Sequence, residues 1–112
     1  MSQYLCTTAE IGENGKEVRV RTGSITHYIM LFRHAGAIRA YFNTCPHQGL
    51  PMNCAPGQFL LSRDKLLICA QHGARFELDT GRCLQGPCLG DRLRAVGIRL
   101  EKDAVWLEPA LN

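Results

Sequence analysis

Glycine and proline restrict this chain more than any other feature. Its 11 glycines and 5 prolines are spread along all 112 residues, leaving few intervals long enough for a free-standing helix. The segments between them read as short strands. Residues 17–21 alternate strictly, with Val18 and Val20 on one face and Arg19 and Arg21 on the other. Residues 27–33 and 37–43 are β-rich runs around His34-Ala35-Gly36, and residues 93–101 and 104–108 are two more around Lys102-Asp103. Both pairs predict hairpins, while Asn14-Gly15 and Thr80-Gly81 mark tight turns. Residues 58–72 lack both breakers, but their apolar residues come in blocks rather than at helical spacing. They are read as strands 58–61 and 65–69 about a Ser62-Arg63-Asp64 turn. The expected class is all-β, a small sandwich or barrel.

Hydrophobic residues at 46% and charged residues at 21% exclude intrinsic disorder as the default, and the length suits a single domain over residues 1–112. The longest apolar runs, 28–32 and 66–70, are too short to span a membrane. The first fifteen residues hold no Lys or Arg, so no ordinary secretory signal is expected and the cytoplasm is the expected compartment. A formal charge of +3 is too mild to imply a nucleic acid or a membrane surface as partner. Six cysteines do require an explanation. In an intracellular chain, thiols in such number more often bind a metal or stay buried and reduced than form a disulfide framework.

Two clusters give some of those cysteines company: Cys45-Pro46-His47-Gln48-Gly49 and Cys69-Ala70-Gln71-His72-Gly73. Each follows a predicted strand, and each joins one thiol and one imidazole. The 21 residues between His47 and Cys69 suffice for a hairpin that returns its ends together. Two sulfurs and two nitrogens then face one point. A tetrahedral Cys2His2 zinc site uses such donors, and so does a [2Fe–2S] centre whose irons take two thiolates and two imidazoles. Zinc fingers commonly pair their thiols on one segment, whereas each loop here brings a mixed pair, which suits two irons lying across both loops.

In these residues the chain resembles the Rieske iron–sulfur proteins, whose Cys-x-His loop is followed by Cys-x-x-His-Gly. Phe76, Thr80-Gly81, Gly86-Pro87 and the closing Val96, Ile98, Val105 and Leu107 pattern extend the similarity over roughly residues 3–108. The resemblance implies a small antiparallel β-sandwich with a two-loop cluster-binding subdomain at about residues 43–88. It also implies one [2Fe–2S] cluster per chain, with Cys45 and Cys69 on the buried iron and His47 and His72 on the outer one. Two thiolates bring the oxidised core to neutrality, so an added electron meets less repulsion than with four thiolates. That places the type at roughly −150 to +300 mV.

High-potential members carry an additional cysteine in each loop, and the two form a disulfide; the matching positions here are Leu50 and Gln71. Their Ser and Tyr hydroxyls near the cluster are matched by Ala74 and Phe76. Fewer hydrogen bonds to sulfur imply a potential in the lower part of the interval. With neither a membrane anchor nor a catalytic domain in the sequence, the resemblance implies a free-standing ferredoxin: an electron carrier rather than an enzyme. Its implied partners are a flavin-containing reductase and a terminal oxygenase, with Gln48, Leu50, Pro51, Gln71 and Pro87 as the docking rim. The alternatives are a small Rieske-like subunit of a reductase complex, such as assimilatory nitrite reductase, and a structural Cys2His2 zinc module. Retention of all four ligand-type residues favours the carrier over the subunit.

The remaining candidates are read as structural. Cys6, Cys54, Cys83 and Cys88 are expected to be small buried hydrophobes, and a disulfide among the last three depends on geometry. His27 and His34 read as a strand and a turn histidine, and Arg19, Arg21, Arg92, Arg94 and Arg99 as a solvated face. The interval between the ligand loops is long for a ferredoxin of this type, the excess falling near residues 55–64. Cys88 stands where a plain small residue is expected.

Overall fold

A computed structural model describes residues 3–46, 49–53, 55 and 57–108. Among them the strands are β1 (Gln3–Thr7), β2 (Lys16–Thr22), β3 (Ile25–His34), β4 (Ala37–Phe42), β5 (Leu60–Leu61), β6 (Leu66–Ile68), β7 (Arg75–Glu77), β8 (Cys83–Gln85), β9 (Ile98–Glu101) and β10 (Ala104–Leu107). A single 3-10 turn, Thr8–Glu10, follows β1, and no α-helix occurs among the described residues. No helix of the described residues is long and apolar enough to cross a membrane. Three antiparallel sheets form, in the orders β1-β10-β9, β2-β3-β4 and β5-β6-β7-β8.

The apolar run in β3 organises them. Ile29, Met30, Leu31 and Phe32 are all buried, so both faces of this strand are covered. Ile29 and Leu31 turn one way, into a core with Val20, Leu5, Val105 and Leu107. Met30 and Phe32 turn the other way, into a core with Phe59, Leu67, Phe76 and the thiols of Cys45 and Cys69. Strand pleating thus makes β2-β3-β4 a middle layer, with the terminal strands against one face and the small β5–β8 sheet against the other. Phe32 and Phe59 meet edge-on with ring centroids 5.3 Å apart.

The expected hairpins form. Ala35 and Gly36 take φ of 52° and 79°, the left-handed pair that a two-residue loop between twisted strands demands. His34 is not in the turn as expected: it ends β3 opposite Ala37. The stretch 93–101 is a strand only from Ile98. Before that its backbone changes partners, Leu93 N–H donating to Gly81 and Val96 N–H to Ala40, so no single ladder can extend. Likewise 58–61 is a strand only at Leu60–Leu61, because Gln58 N–H closes a turn onto Ala55. Strands β1, β7 and β8 have no counterpart in the sequence reading.

The fold also gives His34 a carboxylate partner that the sequence places 45 residues away. Its Nδ1 lies 2.9 Å from Asp79 Oδ1. That hydrogen bond, then the charges of His34 and Arg39, hold the Asp79 carboxyl below its ordinary range. A lowered folded-state value stabilises the fold above the unfolded carboxyl pKa, and that contribution is lost as pH falls through the folded one. In an NMR titration, His34→Ala should move the Asp79 midpoint upward; an unmoved midpoint would show that His34 is not its cause.

Candidate metal centre

Two loops emerge from the middle and outer sheets side by side. The first leaves β4 and carries Cys45; the second joins β6 to β7 and carries Cys69 and His72. Their backbones are built alike. In the first, Cys45 N–H donates to Leu50 C=O and Gly49 N–H donates to Cys45 C=O, each at 2.8 Å. In the second, Cys69 N–H donates to Ala74 C=O at 2.8 Å and Gly73 N–H to Cys69 C=O at 2.9 Å. Gly49 and Gly73 close these matching turns at φ of 70° and 75°, which L side chains rarely adopt. The loops are tied to each other by Ala70 N–H donating to Met52 C=O at 2.9 Å, and Gln71 Nε2 reaches Pro51 C=O at 3.5 Å.

Cys45 and Cys69 are 2% and 1% exposed and share one apolar cluster, whereas His72 stands at the surface. His47, Gln48 and Cys54 lie outside the described residues. The second loop thus offers one sulfur to the inside and one imidazole to the outside. No three His, Cys, Asp or Glu side chains among the described residues form a group able to hold one metal ion. A binuclear core asks two protein donors of each iron. The donor set and its division between interior and surface therefore fit a [2Fe–2S] group.

A family model for the Rieske [2Fe-2S] domain matches residues 1–99. This chain belongs to the Rieske [2Fe–2S] domain family. Membership implies a Rieske-type [2Fe–2S] cluster. No curated protein matches this Rieske chain by sequence. Among solved structures it is similar to the ferredoxin of carbazole 1,9a-dioxygenase from Nocardioides aromaticivorans IC177, at 16% identity and a TM-score of 0.74 over 98% of this chain and 99% of that one. The terminal oxygenase of carbazole 1,9a-dioxygenase from Novosphingobium sp. KA1 matches at 21% identity and a TM-score of 0.74, over 95% of this chain. This Rieske chain spans only 29% of that oxygenase. A chain from a complex of reduced oxygenase and oxidized ferredoxin in carbazole 1,9a-dioxygenase matches at 18% identity and a TM-score of 0.70, over 95% of this chain and 91% of that one. At these identities the likeness is one of fold.

Support for the loops comes from residues that the sequence reading passed over. Asn43, 6% exposed, accepts from the Met52 backbone N–H at 2.7 Å through its Oδ1. Its Nδ2 lies 2.8 Å from both Glu17 Oε2 and Asn53 Oδ1. Glu17 also accepts from Gly57 N–H at 3.1 Å, so the long segment after the first loop is pinned to β2. A polar residue closing an apolar strand just before Thr44-Cys45 was the only sequence signal for Asn43; Glu17 had none.

A third turn, carrying Gly86, Pro87 and Cys88, leans on the second loop. Gly86 has φ +103°, and a Cβ there would stand 2.8 Å from Ala74 Cα. Gly86→Ala should therefore lower stability by about 2 kcal/mol, through backbone strain plus overpacking. An unchanged denaturant midpoint would contradict this close fit. Ala74 and Phe76 are fully buried and bring no hydroxyl to the site. Burial, then a hydrogen bond with Cys83, the nearness of Cys83 and Cys45 and a hydrogen bond with Cys45, push the Cys88 thiol up to about 12.

The other expectations fall as follows. Of the residues expected to form a docking rim, Leu50, Pro51, Gln71 and Pro87 are exposed and Gln48 lies outside the described residues. Cys6 is buried in the core on the far side of β3. His27 Nε2 lies 2.9 Å from Thr22 Oγ1, as suits a strand histidine. Arg19, Arg21, Arg92 and Arg94 are exposed, but Arg99 is half-buried and ion-paired to Glu101 and Glu108.

Proposed function

We propose that the chain is a one-electron carrier, a Rieske ferredoxin between a flavin-containing reductase and a terminal oxygenase, working in the cytoplasm as a single domain. Cys45 and Cys69 would hold the inner iron, and His47 and His72 the outer. The observation that carries this reading is the pair of matched loops, which bury their thiols in one core while His72 is exposed. When bound, the cluster supplies a reversible one-electron couple.

The chain's own residues do the rest. Burial of both thiols keeps water from the inner side. The exposed His72 edge offers the short path to a partner, and Leu50, Pro51, Gln71 and Pro87 surround it as a small, partly apolar contact area. Such an area suits the brief, weak encounters of redox partners. A similar fold occurring in a complex of oxygenase and ferredoxin supports an oxygenase as acceptor. With every proposed ligand position filled by protein, no open coordination site remains for a substrate, which supports a carrier over a catalyst.

The test combines iron and sulfide counts, an EPR spectrum of the reduced protein and an equilibrium redox titration. Two irons, two sulfides and a mixed-ligand spectrum are expected. With Ala74 and Phe76 in place of hydroxyl donors, the midpoint should fall below zero, in the lower part of roughly −150 to +300 mV. A colourless protein with one ion would refute the carrier, and a midpoint well above zero would refute the assigned tuning.

A further inference from the structure

Cys83 and Cys88 lie on either side of the Gly86-Pro87 turn and belong to no ligand set. Their Sγ atoms are 3.2 Å apart, and Cys83 Sγ is also 3.2 Å from Gln85 C=O, which accepts from it. Both are free thiols, 2% and 3% exposed. A covalent S–S bond of about 2.05 Å requires the sulfurs to close by only about 1.1 Å more. The cover over them is thin, since Gln85, Gly86, Pro87, Leu89 and Gly90 are all exposed. Gly86 and Gly90, at φ +103° and +96°, bracket the turn with residues that tolerate backbone change. Among the other described cysteines, Cys6 sits in a different core, while the proposed ligands Cys45 and Cys69 share this one and Cys45 comes within hydrogen-bond reach of Cys88.

We propose that Cys83 and Cys88 are a redox-active dithiol site that closes to an intramolecular disulfide by exchange with a small disulfide of the glutathione type. One cysteine sulfur attacks the small disulfide, breaking its S–S bond and releasing one small thiol. The second cysteine sulfur then displaces the other half from the mixed disulfide. One S–S bond forms in the protein as one breaks outside it. The two protein sulfurs give up two electrons and two protons, which leave on two molecules of small thiol. Among the described cysteines outside the proposed ligand set, Cys83 and Cys88 are the pair whose sulfurs meet, as the second displacement requires. Both sulfurs are buried, which limits access by the small disulfide, so the site is tested at equilibrium.

The sequence supplies its own assay. Arg82 and Arg92 flank the pair, so trypsin releases residues 83–92 as one peptide holding both cysteines and no others. The iron-loaded protein is equilibrated anaerobically over a series of glutathione disulfide-to-thiol ratios, quenched in acid, alkylated and digested. The peptide should pass in one step from doubly alkylated to unalkylated and about 2 Da lighter than its dithiol form. Cys88→Ser and Cys83→Ser should each abolish that step, and Cys6→Ser should leave it unchanged. The wild-type series decides by itself if a variant fails to fold. A peptide doubly alkylated at the most oxidising ratio, or one that keeps a single glutathione without closing, would overturn the proposal. So would closure that occurs only with loss of the visible spectrum and oxidation of the peptides carrying Cys45 and Cys69. That outcome marks released ligands, not a separate site.

Discussion

Cys69→Ser should purify with its iron content lowered at least about tenfold, a loss that disturbing even an outer partner of a metal ligand can reach. Serine keeps the size of the side chain, and the loop bonds from Cys69 N–H to Ala74 and from Gly73 N–H to Cys69 are made by backbone. The loop should therefore persist while a hard oxygen replaces a soft thiolate, which iron–sulfur centres select. Circular dichroism of the variant should stay β-like. Cys6→Ser, in the core on the other side of β3, is the matched control and should keep its iron. His72→Ala should lose the absorption features of the outer iron, and His34→Ala, whose ring faces Asp79, should not. Equal iron in Cys69→Ser and wild type would remove the ligand assignment.

Asn43→Ala should cost about 3 kcal/mol in chemical denaturation, because it strands buried groups rather than merely removing bonds. Met52 is fully buried, and its N–H donates to Asn43 Oδ1, so truncation leaves that donor unmatched away from water. Glu17 loses the Nδ2 donor at 2.8 Å and keeps the longer contact from Asn53, at 3.4 Å, and that from Gly57. The same change loosens Met52, whose carbonyl receives Ala70 N–H from the second ligand loop. Loss of stability should thus come with faster release of iron to a chelator. Asn43→Asp is the discriminating partner: it preserves the acceptor for Met52 but sets a second carboxylate against Glu17. A variant as stable as wild type would show that the network is not what joins the two loops.

The Met52–Ala70 bond and the Gln71–Pro51 contact also hold the two loops together. They are a backbone bond and a side-chain amide contact, not a covalent bridge. Such a tie is weaker and adjustable, and it leaves the Gly86 turn pressing on Ala74 as a further brace.

How much of this was legible in the residues depends on how local the cause is. The two proposed ligand loops were readable because their chemistry is written within five residues: a thiol, an imidazole and a glycine free to turn the chain back. The hairpins at Ala35-Gly36 and Lys102-Asp103 were readable for the same reason, since turn geometry follows from the turn residues themselves. The five-residue apolar run at 28–32 marked a strand, but not that both its faces would be covered; that depends on which distant segments pack there. Strands β7 and β8, three residues each, carry too few positions for a period to register.

What the amino-acid order determined alone, then, is the β class and the turns, both consequences of backbone freedom at short range, and the donor set is proposed from side-chain chemistry on the same scale. Only the folded chain decided that Glu17 anchors Asn43 and Gly57, that Asp79 meets His34, and that Cys83 and Cys88 stand 3.2 Å apart beneath the Gly86 turn. Most of these contacts join residues 26 to 45 positions apart, and even the short Cys83–Cys88 step depends on how its turn packs against Ala74. The cysteine pair meets in the buried core and Asn43 at its edge, whereas His34–Asp79 and Glu17–Gly57 meet at the exposed surface where distant strands and loops come side by side. No local pattern encodes that, because it is a property of the packed layers and not of any one strand.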